Sequence, residues 1–233
     1  AKLFDDDKEE VKLTAGIMWH QIERKSDDLG LKATVTSFVP ETKDKVELTK
    51  IEITNITDSH IKFTPTTAIP LYGRSASNIR DHRHVTSLLH RTFTVKNGIE
   101  IFPTLTFDER GHNKNTVYYG ALAKEETDGV MVSPISFCPV TEEFIGRGGN
   151  FENPYMVAKN QPLPYGIGEE IDGYETVAAM RFADAVISPG ETKTYIIALG
   201  YGNSEEEIDK LGEKYLDTKA FDSFLEETKK YWQ

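Results

Sequence analysis

The chain has 233 residues and a formal net charge of −11, from 27 Lys and Arg against 38 Asp and Glu. That length suits one large all-β domain. The acidity excludes partners that need clustered cations, nucleic acid and anionic membrane surfaces first among them, and no apolar run approaches the ~20 residues that cross a bilayer. One cysteine, Cys138, excludes an intrachain disulfide and a cysteine-rich metal site. The N-terminal Ala1-Lys-Leu-Phe-Asp-Asp-Asp7 has no apolar leader core, so the expected location is cytoplasmic.

Along the chain, Leu31 to Val39 alternates apolar and polar as a two-faced strand does. Val46 to Ile56 is rich in β-branched residues but shifts parity between Leu48 and Ile51, which a bulge or burial of both faces would explain. Asn55-Ile56-Thr57 matches a glycosylation sequon only by chance, since it falls in a strand. A strand is expected over Ile61–Ile69. Thr92-Phe-Thr-Val, Lys96-Asn97-Gly98 and Ile99-Glu-Ile-Phe read as a hairpin, with Asn97-Gly98 supplying the two positive φ values of a type I′ turn. Further strands are predicted at Leu105–Phe107, Thr116–Ala123, Met131–Cys138, Val177–Ile187 and Thr192–Leu199, with Cys138 as core packing. Ser204-Glu-Glu-Glu207 is a capping box and Asp217-Thr218 a second cap, each followed by apolar residues at helical spacing. The second of these helices runs into Gln233 without a C-cap glycine, as a fragment cut inside a helix would. Hairpin-rich order with terminal helices makes the fold mainly β, an antiparallel sandwich. The expected division is a β domain over 1–203 and a helical segment over 204–233.

Three segments carry most of the chemistry. Ser77 to Arg91 holds Arg80, Asp81, His82, Arg83 and His84 within three histidines and three arginines. On a strand His82 and His84 would share a face, but no carboxylate follows to complete a metal site, and none is expected. The alternatives are an ion-paired network joining loops, or a ligand or interface surface. Phe107 to Asn115, with Asp108, Glu109, Arg110 and His112, reads as a solvated loop or as a segment orienting a sugar or partner loop. Adjacent carboxylates on a strand face opposite ways, so Asp108 and Glu109 do not form a catalytic pair. Glu142 to Phe151 lacks the Lys-Ser/Thr of a phosphate loop. Its glycines permit tight turns, and Arg147, Gly148, Gly149, Asn150 and Phe151 form the candidate pocket edge. The irregular stretch continues through Asn153-Pro-Tyr155 and Gln161-Pro-Leu-Pro-Tyr-Gly166, as binding loops often do. Trp19 and Trp232 could stack on sugars or cover the sandwich.

The blocks Arg80-Asp-His-Arg-His-Val-Thr-Ser-Leu-Leu-His-Arg91, Phe107-Asp-Glu-Arg-Gly-His112, Glu143-Phe-Ile-Gly-Arg-Gly-Gly149, Asn160-Gln-Pro162 and Pro189-Gly-Glu-x-Lys-x-Tyr195 stand in order over roughly residues 50 to 200. In these the chain resembles the inverting glycoside phosphorylases of the cellobiose-phosphorylase type, once grouped as glycosyltransferase family 36. The dense Arg-Asp-His-Arg-His block is most similar to the branch acting on β-1,2-linked oligoglucans. The resemblance implies a two-layer antiparallel β-supersandwich, galactose-mutarotase-like, with C-terminal helices leading to a separate (α/α)6 barrel. It implies that the general acid and the groups binding inorganic phosphate, the co-substrate, lie in that barrel, so no residue here is catalytic and no other cofactor is expected. It also implies a homodimer in which Arg147–Phe151 reaches a substrate pocket, braced by Arg80–His84. Two alternatives remain open: a free-standing carbohydrate-binding module, which needs an exposed aromatic platform, and a mutarotase-like epimerase, which needs a His/Glu pair drawn from His82, His84 or His112.

Overall fold

Antiparallel pairing joins every strand ladder among the described residues. The computed structural model describes residues 9–73, 88–104 and 115–233. A meander opens the chain: β1 (Glu10–Gly16), β2 (Trp19–Ser26), β3 (Leu31–Phe38) and β4 (Val46–Asn55). Then come β5 (Ile61–Phe63), β6 (Thr66–Leu71), the hairpin β7 (His90–Val95) and β8 (Gly98–Pro103), and the hairpin β9 (Tyr118–Thr127) and β10 (Val130–Val132). After β11 (Ser136–Val140) two short helices, α1 (Thr141–Ile145) and α2 (Tyr155–Ala158), bracket the glycine-broken stretch. The chain continues through β12 (Glu170–Asp172), β13 (Thr176–Arg181), β14 (Ala185–Ile187) and β15 (Thr192–Gly202), then α3 (Glu205–Tyr215) and α4 (Thr218–Tyr231).

The large sheet has the order β1-β2-β3-β4-β15-β9-β8-β7-β12, with β10 on β9. A second layer is made of β11-β13-β6 and of β14-β5. The period of two on β15 and β9 then decides which core each side chain joins. Ile196, Ala198 and Leu122 face the helices, with Phe38, Leu48, Ile208, Leu211, Tyr215 and Phe221. Tyr195, Ile197, Ala121 and Ala123 face the second layer, with Ile99, Ile101, Phe137, Ala178 and Met180. On the far side of β13, Val177 and Ala179 pack with Cys138, Phe144 and Leu163. The architecture is thus the mainly β, antiparallel supersandwich with C-terminal helices that the sequence led us to expect.

Burial of both faces, not a bulge, explains the parity shift in β4. Its ladders to β3 and β15 run in unbroken register, with Leu48 toward the helices and Ile51 and Ile53 toward the second layer. Asn55 is fully buried, its Nδ2 donating to Ser59 O and Ile187 O, so the sequon is a structural corner.

Several expectations need correction. The β7–β8 hairpin forms, but its two-residue connection is Lys96-Asn97, because Gly98 already pairs with Val95. Neither Asn97 nor Gly98 has positive φ. Glycine is required at 98 for another reason: a Cβ there would sit 2.1 Å from Ala121 O. The positive-φ pair is Asp128-Gly129 (φ 52° and 75°), between β9 and β10, as a type I′ hairpin demands. The spans 61–69, 131–138 and 177–187 each break into two strands. The strands β1 and β2, and the short β12, were not anticipated. The span Leu105–Phe107 lies outside the described residues.

Both helix caps form. Ser204 Oγ accepts from Glu207 N, while Glu207 Oε2 accepts from Asn203 N, one residue before the cap. Asp217 Oδ1 accepts from Ala220 N. Among the described residues no helix is long and apolar enough to cross a membrane.

Candidate functional site

One end of the sandwich gathers the described residues that flank two of the segments the sequence marks as chemical, and the start of the third. The β6 terminus, Leu71, pairs with Thr176 at the start of β13, and Thr176 also pairs with Val140 at the end of β11. His90, 1% exposed, ties this corner together. Its Nε2 lies 3.1 Å from Gly73 O and its Nδ1 lies 3.4 Å from Thr176 Oγ1. Burial lowers its pKa, with the Gly73 hydrogen bond opposing, so the imidazole is neutral and structural. Across β7 and β8, Thr104 N donates to Leu89 O and Asn115 Nδ2 donates to Pro103 O. The described residues flanking both charged blocks, Gly73, Leu89, Thr104 and Asn115, are therefore stitched to a common end. Arg80, Asp81, His82, Arg83, His84, Arg110 and His112 themselves lie outside the described residues.

The glycine-broken stretch leaves from the same corner, where Thr141 N donates to Glu175 O. Phe144 anchors α1 in the core, and Gly146 ends the helix at φ 83°. Gly149 N donates to Gly146 O, and a Cβ on Gly149 would lie 2.0 Å from Ile145 O. This tight turn brings Arg147 to Phe151 together on an exposed surface. Asn150 is exposed, and its Oδ1 accepts from the backbone amides of Glu152 and Asn153. Phe151 is 39% exposed, its ring 6.4 Å from that of Phe144. Arg147 forms no ion pair with the described residues. The segment thus presents one guanidinium, one amide and one aromatic ring.

A groove of about 510 Å³ opens beside Gly73. Sequence reasoning missed it, because its three tyrosines, Tyr72, Tyr119 and Tyr201, are far apart along the chain. Tyr119 and Tyr201 are direct cross-strand partners on β9 and β15, with rings 6.0 Å apart and tilted by 36°. Tyr72 and Tyr201 keep about 45% and 44% of their surface in solvent. Lys45 Nζ stands 5.0 Å from the centre of the Tyr201 ring. Asp44 accepts from Lys214 Nζ (2.6 Å) and Tyr215 OH (2.7 Å), hydrogen bonds that hold its carboxyl below the usual range. Ring faces beside fixed charges suit a pyranose, whose C–H face stacks on an aromatic ring while its hydroxyls meet carboxylate and ammonium.

Burial raises the pKa of two further groups. Desolvation pushes the Cys138 thiol up to about 12, which keeps it protonated and inert in the core. Glu100 is fully buried with both carboxylate oxygens unpartnered, and burial, then Asp209 and Glu205, pushes it up to about 8.

A supersandwich of this design is a domain of carbohydrate-active enzymes. Residues 5–218 match the model of the glycosyl hydrolase 94 supersandwich domain, and the chain belongs to that family. No curated protein matches it. Solved structures similar to the chain include a bacterial glucoamylase complexed with acarbose, at 11% identity and a TM-score of 0.49, covering 96% of this chain and 28% of the other. A polysaccharide lyase matches at 12% identity and 0.49, covering 87% and 24%. A human-microbiome protein assigned as a kojibiose phosphorylase matches at 10% identity and 0.32, covering 95% and 23%. The chain spans about a quarter of the length of each.

Proposed function

We propose that this domain is the non-catalytic N-terminal part of a glycoside phosphorylase that cleaves β-glucosides or oligoglucans reversibly with inorganic phosphate, giving a sugar 1-phosphate. Its role is assembly and the shaping of the substrate pocket. The observation that carries this reading is the family match over residues 5–218. The residue blocks around Arg80–His84 favour a β-1,2-oligoglucan as substrate. The partners are then the oligosaccharide, the protein's own (α/α)6 barrel and a second subunit, in the cytoplasm. In this reading Arg147–Phe151 is the pocket edge, with Arg80–His84, Arg110 and His112 as the network behind it, and the general acid lies beyond Gln233. The test is phosphorolysis. The 233-residue chain, given β-1,2-oligoglucan and phosphate, should release no sugar 1-phosphate, while the longer protein that contains it should. Sugar 1-phosphate made by the chain alone, or none made by the longer protein from any β-glucan, would overturn it.

A second reading, a carbohydrate-binding module, is favoured by the tyrosine groove, which offers the exposed aromatic platform such a module needs. The two are compatible if the groove holds part of an oligosaccharide. Calorimetric titration of the chain with glucan oligomers separates them, since a purely architectural domain gives no heat.

A further inference from the structure

Glu100 stands in the middle of β8 and is completely buried. Its chain neighbours Ile99 and Ile101 face the second layer, so the period of two turns Glu100 toward the helices. There α3 packs directly on the backbone of β9. Gly120, the cross-strand partner of Glu100, has no room for a side chain: a Cβ would lie 2.4 Å from Ile208 Cγ2 and 3.6 Å from Glu100 Cγ. Neither carboxylate oxygen of Glu100 has a hydrogen-bond partner. The ionisable groups acting on it are Asp209 and Glu205 of α3, both exposed, and the Tyr118 phenol of β9. On β7 it faces Phe93, which pairs in turn with the exposed Glu170 of β12. Arg91, two residues along on the same face, is committed to Asp172 of β12. An ionised carboxylate closed in there would lose its water and gain no donor or cation.

We propose that α3 is a proton-held lid, closed over β8 and β9 while Glu100 keeps its proton and lifted, as a local event short of unfolding, when Glu100 releases that proton to water. The helix is the element that can admit solvent to the carboxyl, because it covers Glu100 through Ile208 and has solvent on its other face. Lifting it hydrates the new charge and separates it from Asp209 and Glu205. The direction with pH follows from the two states. Closed, Glu100 titrates at about 8; lifted and hydrated, it returns to its ordinary 4.5. Between those values the lifted state binds fewer protons, so opening becomes more favourable by roughly tenfold per pH unit, and it levels off outside them. Unfolding of the whole domain is linked to the same proton. What distinguishes the lid is that α3 opens at a lower free energy than the strands beneath it, as local openings do. The lid stands on the packing of this domain alone and is independent of the glucan reading.

The test is amide hydrogen exchange on the 233-residue chain from pH 5 to pH 8.5, expressed as protection factors so that the intrinsic pH dependence of exchange is removed. Amides of α3 should be less protected than those of β9 and β15 at every pH, and their protection should fall by roughly tenfold per pH unit between pH 5 and pH 8. E100Q keeps the shape of the side chain without the ionisation, and should leave α3 equally protected across the range. D209N alters an exposed residue and so reads the same linkage without disturbing the core. By removing one of the carboxylates that face Glu100, it should raise α3 protection by about twofold or more at pH 8.5 and leave it unchanged at pH 5. Protection of α3 equal to that of β9 and β15, a pH slope that survives E100Q, or a D209N protein identical to its parent at pH 8.5 would overturn the proposal.

Discussion

The ring of Phe221 meets that of Phe38 edge-on, with centroids 5.0 Å apart and planes at 86°. That contact joins α4 to β3, and both rings lie in the core shared by the helices and the large sheet. Edge-to-face geometry sets the positive ring edge against the negative face, which adds about 0.5–1.5 kcal/mol to the burial itself.

Phe221→Ala should therefore cost about 3–5 kcal/mol, the usual range for emptying a fully buried aromatic site. Urea denaturation with an unchanged m-value would measure it. Ending the chain at Asn203 should do worse, because Leu48, Leu122 and Ile196 would lose their cover. A soluble, cooperatively folded 1–203 fragment would show that the helices are an appendage.

Glu100 makes stability depend on pH. Its folded pKa is about 8 against an ordinary value of 4.5, so between those limits the folded state holds a proton that the unfolded state has lost. Stability should then fall as pH rises through that window, by up to about 1.4 kcal/mol per pH unit at its middle. Below pH 4.5 this group contributes nothing to the dependence. Glu100→Gln should remove the slope and stabilise the domain at pH 8. Equal urea midpoints for both proteins at pH 5 and pH 8 would show that the carboxyl finds a partner when ionised.

Much of the fold was legible because period two and helix caps are local signals. The Ser204 and Asp217 caps and the alternation of Leu31–Val39 needed no tertiary information. What failed was local chemistry overruled by distance. Asn97-Gly98 has the composition of a type I′ turn, but Gly98 is set by the carbonyl of Ala121, a contact between strands. The strand β1 escaped notice because Glu10–Gly16 is exposed throughout and buries no face to imprint a pattern, and β2 because Trp19 and Ile22 are its only large apolar residues and do not alternate. At the site, the Gly146–Phe151 turn could be read from its glycines. The Tyr119–Tyr201 pair could not, since only the β9–β15 register creates it.

Tyr201→Ala tests the groove. Removing one ring of the platform should weaken binding of a glucan oligomer by about 2–10-fold, in line with aromatic contacts of about 0.5–1.5 kcal/mol. Tyr231→Ala, on the exposed end of α4, is the control and should change nothing. Equal affinities for all three proteins would remove the groove from consideration as a sugar site.

Arg147→Ala tests the proposed pocket edge. The guanidinium has no ion pair to lose among the described residues and sits on an exposed turn, so the domain's stability should change by less than about 0.5 kcal/mol. In the longer phosphorylase proposed above the consequence should be different. If the guanidinium donates to a sugar hydroxyl or to phosphate, the loss is about 1.5–3 kcal/mol, or roughly 10–150-fold in kcat/KM. Arg147→Lys should recover only part of it, because an ammonium keeps the charge without the planar fork of donors. Gly149→Ala should reproduce the loss with Arg147 intact, since its Cβ would collide with Ile145 O and displace the turn. Steady-state kinetics with sugar and phosphate varied separately decide which substrate the turn touches. An unchanged kcat/KM for both in Arg147→Ala would make the segment a solvated turn and nothing more.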